Sequence, residues 1–166
     1  EKRIPVVVIA ATPTQIDAAL DVLVDLYDVP VILLNAEGAR VFADRLASKN
    51  VGVIPPPQVM RREKNTWYAQ HDDLSRKGVR VAFQSNAEDA ARSLPTVALY
   101  AVERGLSPET ALAALTIDAA RMFKLENRIG AIAPGHEGDL VVFSGHPFQT
   151  GSAVTHVIIS GEEVAP

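Results

Sequence analysis

The first half of this sequence repeats one pattern, a short β-branched apolar run followed by a longer amphipathic stretch. The runs are residues 4–9, 29–34, 51–54 and 79–83. Continuous apolar runs this short suit strands buried on both faces. Between the first two runs, Ile16, Ala19, Leu20, Leu23, Val24 and Tyr27 fall at helical spacing, and Thr14 is the expected cap. Residues 37–48 read as a second helix with Val41, Phe42 and Leu46 on one side. Residues 67–77 read as a third, with Gly78 placed to end it. Strand and helix in alternation require a parallel sheet with helical crossovers. The pattern leaves two arrangements open, a doubly wound sheet or part of a (β/α)₈ barrel. A whole barrel takes about 250 residues, and this chain has 166.

The second half changes character. Pro55-Pro56-Pro57 forbids regular structure, and residues 58–66, which carry Arg61, Arg62, Glu63 and Lys64, read as a solvated loop. Residues 94–104 form a helix ended by Gly105. Ser107 caps the next helix, with Pro108 in its first turn and Glu109 close behind, and that helix is expected to run to residue 123. Beyond it, residues 129–132, 139–143, 154–160 and 162–165 read as short strands, the last two joined at Ser160-Gly161.

Composition narrows the function classes. A net charge of −4 provides no basic footprint for nucleic acid. No apolar run approaches the roughly 18 residues of a membrane span. With no cysteine, disulfides, thiolate metal sites and cysteine nucleophiles are all excluded, while the compartment stays open. The chain opens at Glu1, directly before an apolar strand, and so reads as a segment of a longer protein.

Several segments in sequence order carry a family resemblance. They are Ala91-Arg92-Ser93-Leu94-Pro95, Ala111-Leu112-Ala113-Ala114-Leu115-Thr116, Arg128-Ile129-Gly130-Ala131-Ile132 with Pro134-Gly135, Asp139-Leu140-Val141-Val142, and Val157-Ile158-Ile159-Ser160-Gly161. In this order the chain resembles the metal-dependent amidohydrolase superfamily, in its imidazolonepropionase-like branch. The resemblance implies an α/β fold: residues 1–126 as the last four β/α units of a TIM-like barrel, and residues 127–166 as strands of a small composite β-sandwich. The missing half would hold the His-x-His pair and the bridging ligand. The expected partner is therefore the N-terminal half of the same protein, or a second copy in a homodimer.

The family's chemistry is hydrolysis of C–N bonds, in which a divalent metal such as zinc lowers the pKa of a bound water and a strand-end aspartate takes its proton. Alignment with the family puts Ile9 and Asn35 where relatives have metal-binding histidines, and Asn86 where they have the aspartate. Isoleucine has no lone pair, and a neutral amide is a poor zinc ligand and no general base. The chain is therefore expected to hold no metal cofactor and to be catalytically inactive. Glu88 and Asp89, which follow the last strand of the half-barrel, are the weak candidates for a replacement base. Two other readings remain: an active amidohydrolase once joined to its N-terminal half, and an independent doubly wound small-molecule binder.

The four histidines are expected at the surface, with His71 on a polar helix face. His136 and His146 fall in turns and His156 in a late strand. The pair Asp72-Asp73 is expected at a helix N-terminus or a solvated face. An anionic ligand at Arg61–Lys64 is a lesser possibility beside a solvated loop.

Overall fold

The structure, a computed structural model, describes residues 4–63, 66–85 and 90–165. Asn86, Glu88 and Asp89 lie outside the described residues.

Strand β1 (Val6–Ile9) leads into helix α1 (Pro13–Ala19), which continues as a π-helical segment, Leu20–Leu26. Thr12 rather than Thr14 caps α1. Its hydroxyl accepts from the Gln15 amide, and the Gln15 side chain accepts from the Thr12 amide. Proline at the next position decides this, because its missing N–H suits the first helical turn. Strand β2 (Val31–Leu34) follows. A 3₁₀ turn, Ala39–Phe42, then leads into α2 (Ala43–Ser48), in place of one continuous helix. Strand β3 (Gly52–Ile54) comes next.

Strands β1, β2 and β3 pair in parallel in that order. Residues 79–83 extend the sheet more weakly than expected. Val81 bridges Val53 in parallel, Val53 donates to Arg80 O, and Ala82 donates to Val53 O. Helices cover one face of the sheet, where Ile16, Leu20, Leu46 and Leu74 pack with Val31, Leu33, Val53 and Val81. On the other face Ile32, Ile54 and Ala82 meet Met122. At the β1 edge that second face is bare: Val7 is 43% exposed and Ile9 69%.

The polar stretch after the prolines is ordered rather than a loop. Strands β4 (Met60–Glu63) and β5 (Thr66–Ala69) form an antiparallel hairpin. Trp67 therefore lies in a strand, and helix α3 (Gln70–Arg76) begins three residues later. Gly78 ends α3 as expected, in the left-handed region at φ +79. Its amide donates to Ser75 O, and the Val79 amide donates to Leu74 O.

Helix α4 (Ala90–Glu103) closes at Gly105 in the same way, and Ser107 caps α5 (Pro108–Leu115). The expected single helix to residue 123 breaks at Thr116, whose ψ of −100 ends α5 and starts α6 (Ile117–Met122). Residues 129–132 form no strand. Gly130 is pressed against α6 instead: a Cβ there would sit 2.9 Å from both Ala120 Cβ and Ile117 Cα. Strands β6 (Leu140–Phe143), β7 (Val154–Ile159) and β8 (Glu162–Ala165) make a separate antiparallel sheet. Ser160 and Gly161, both at positive φ, form the two-residue turn between β7 and β8. The fold is mixed α/β, with a parallel sheet followed by an antiparallel one.

Candidate functional site

In a parallel β/α arrangement, ligand chemistry gathers at the C-terminal ends of the strands. Asn35 follows β2 directly and sits in the left-handed region at φ +58, which asparagine tolerates better than most residues. Its side chain is engaged. Gln84 Nε2 donates to Asn35 Oδ1 at 2.7 Å and to Pro55 O at 2.6 Å. One glutamine amide thus ties together the ends of β2, β3 and the 79–83 segment. Ile9, at the end of β1, is exposed and apolar.

The start of α3 is sewn into the same region. Gln70 is fully buried and donates through Nε2 to Ala36 O at 2.6 Å, while its amide donates to Val59 O. His71 is 1% exposed, against the expectation of a surface position. Its ring stacks on Phe83, with centroids 4.5 Å apart. Among the described residues neither ring nitrogen has a hydrogen-bond partner. Burial pushes its pKa down to about 4, so the imidazole is neutral at physiological pH. The error has a physical origin. With Trp67 moved into a strand, the helix begins at Gln70, and its inward face takes His71 and Leu74.

The acidic pair beside it serves structure, as expected of a helix start. Asp72 accepts from Arg76 Nε at 2.8 Å, and Asp73 pairs with Arg40 at 2.9 Å. His136 is half-buried, its Nε2 3.0 Å from Glu126 O, while His146 and His156 are exposed on the C-terminal segment. None of these three joins Asn35.

A catalytic zinc needs about three protein donors with an open fourth position. At Ile9 there is no donor atom, and Asn35 Oδ1 already accepts a hydrogen bond. No three His, Cys, Asp or Glu side chains gather among the described residues. Among the described residues, the donor set at these strand ends does not fit the divalent metal that the resemblance implies. Gln84, Gln70 and Pro55 organise this region, and sequence reasoning gave none of them a role in a site. Their roles depend on contacts 29 to 49 residues apart in sequence.

A model of the amidohydrolase family matches residues 18–165. The chain belongs to the amidohydrolase family. An amidohydrolase from Thermotoga maritima MSB8 superposes on it with a TM-score of 0.85 at 29% identity, over 97% of this family member and 43% of that chain. A molinate hydrolase superposes with a TM-score of 0.75 at 15% identity, over 97% of this chain and 42% of the other, a likeness of fold alone. Adenine deaminase 1 of a Bradyrhizobium species is 36% identical over 80 residues, 43% of this chain and 13% of that protein. An adenine deaminase of Mesorhizobium japonicum is 46% identical over 48 residues, 29% of this chain and 8% of its own length. This amidohydrolase-family chain thus spans less than half of those two structures, and its alignments cover about a tenth of those curated relatives.

Proposed function

We propose that this chain is the C-terminal part of an amidohydrolase-family protein whose metal site has been lost, leaving a binding or structural role. On this reading residues 1–126 are the last four β/α units of a TIM-like barrel, and residues 127–166 contribute strands to a composite β-sandwich. Four consecutive parallel segments with helices on one face, followed by an antiparallel sheet, support that division. The observation that carries the loss of activity is the bond from Gln84 Nε2 to Asn35 Oδ1, at a strand end where the family places a metal-binding imidazole. A neutral amide oxygen that already accepts a hydrogen bond is a poor ligand for zinc and no general base near neutral pH. The missing partner is the N-terminal half of the same protein, which would cover Val7 and Ile9; a homodimer partner is the alternative.

Metal analysis of the full-length protein, with assays on cyclic amides and adenine, tests this. Metal well below one equivalent and no turnover are expected. Stoichiometric zinc accompanied by turnover would overturn it.

A second reading follows from the relatives named adenine deaminase. The full-length protein would then be an active aminohydrolase, with metal held by the N-terminal half and Glu88 or Asp89 as base. Ammonia release from adenine, abolished by Glu88→Gln or Asp89→Asn, would select it.

A further inference from the structure

A cavity of about 240 Å³ lies at the N-terminal ends of the parallel strands, opposite the ends that carry Asn35 and Gln84. Residues at the starts of β1, β2, β3 and the 79–83 segment line it, and the end of α6 forms another wall. Gly52 lets α6 come this close, since a Cβ there would lie 2.8 Å from Met122 Cγ. Drug-sized ligand sites run to about 300–1,000 Å³, so this cavity suits something smaller.

Positive charge gathers around it, in a chain whose net charge is −4. Lys49, Arg80, Arg121 and Lys124 belong to the lining, against one carboxylate among the described residues, Asp28. Lys49 is already paired with Asp25 at 2.6 Å. Arg80 and Arg121 share a single carboxylate, Asp118, at 3.7 Å and 3.0 Å. The Arg80 contact is too long for a hydrogen bond, and its guanidinium makes none among the described residues. Arg121 reaches Asp118 through Nη1, which leaves its other donors unused. Lys124 is exposed and at positive φ just after α6, and its ammonium has no partner among the described residues. Three cations thus stand beside the cavity with one shared carboxylate. With Asp28 counted as well, one positive charge is still in excess.

We propose that this cavity is an anion site for a small phosphate-type oxyanion, held by Arg80, Arg121 and Lys124. Guanidinium forks match the oxygen spacing of phosphate, and an ammonium adds a compact point charge. Asp118 keeps the two guanidiniums side by side, which lowers the ordering cost of binding. Binding here uses none of the groups at the opposite strand ends, so it stands apart from the question of the metal.

The test is calorimetric titration of the full-length protein with inorganic phosphate, with potassium chloride at matched ionic strength as the control. Saturable binding of one equivalent is expected, weaker at higher salt, with no binding heat from chloride. Arg80→Gln and Lys124→Gln should each weaken phosphate by at least about fivefold, the scale of one lost bond to a charged group. Lys124→Gln breaks no contact among the described residues, so its circular dichroism should match the parent. Arg104→Gln, which removes a charge stacked on Tyr100 outside the cavity, should leave the affinity unchanged. Three results would overturn the proposal: no saturable phosphate binding at millimolar concentration, affinity unchanged in either cavity variant, or an equal loss in Arg104→Gln.

Discussion

A buried imidazole with no hydrogen-bond partner has a definite thermodynamic signature. For His71 the folded pKa is about 4, against an ordinary value of 6.5. Between these values the unfolded chain binds more protons than the folded one, so stability rises with pH. It is complete above about pH 6.5 and is lost as pH falls towards 4, by roughly 3 kcal/mol. Urea titrations from pH 4 to 7 should show this slope. His71→Phe should flatten it, while the stack on Phe83 and the burial are kept. A slope unchanged in that variant would assign the effect to another group. The Asn35–Gln84 bond gives a second prediction at this scale. Coupling of Asn35→Ala with Gln84→Ala in a double-mutant cycle should be about 1 kcal/mol, that of one partly buried hydrogen bond.

At the scale of elements, caps and close approaches govern where helices begin and end. Thr12→Ala removes the hydroxyl half of the α1 capping box, while the bond from the residue-12 backbone amide to Gln15 Oε1 is kept, and should cost about 1 kcal/mol, read as a lower urea midpoint at unchanged slope. Gly130→Ala should cost more, about 2–4 kcal/mol, because it combines a left-handed φ with overpacking against α6. Helix α2 is tied to the first helix through Arg45, which meets Asp17 at 3.0 Å and also holds Asp21 and Asp25. Lys49 binds Asp25 as well, and hydrogen bonds from Lys49 and then Arg45 hold that carboxyl below the usual carboxylate range. That contribution is present above the ordinary carboxylate pKa and is lost as pH falls through the depressed value. These groups are exposed, so added salt should weaken the clamp.

The whole molecule presents an apolar sheet edge. Val6, Val7 and Ile9 are all exposed along β1, and its outer backbone edge pairs with no strand among the described residues. Unpaired apolar edges associate. Residues 1–166 alone should therefore self-associate with rising concentration in sedimentation velocity, and Ile9→Lys should reduce this. A well-behaved monomer at high concentration would count against an uncovered edge and favour a self-sufficient binder.

Much of this architecture is local in origin and was legible early. The β-branched runs, the glycines at positions 78 and 105, the Ser107-Pro108 start and the Ser160-Gly161 turn each act through a few neighbouring residues. The hairpin was not legible, because Arg61, Arg62 and Glu63 have the composition of a loop and become a strand only by pairing with residues 66–69. Residues 129–132 failed in the opposite direction. Their apolar content suits a strand, yet Gly130 is taken up by contact with α6.

The sequence by itself determined the family and the strand–helix alternation, since these are properties of residue type and order. Only the tertiary structure decided that His71 is buried, that Gln84 occupies the Asn35 amide, and that Arg62 lies over Trp67. Each of these contacts joins residues held together by different elements or by strand register. Burial and hydrogen-bond partnership belong to that arrangement in space, which no local pattern encodes.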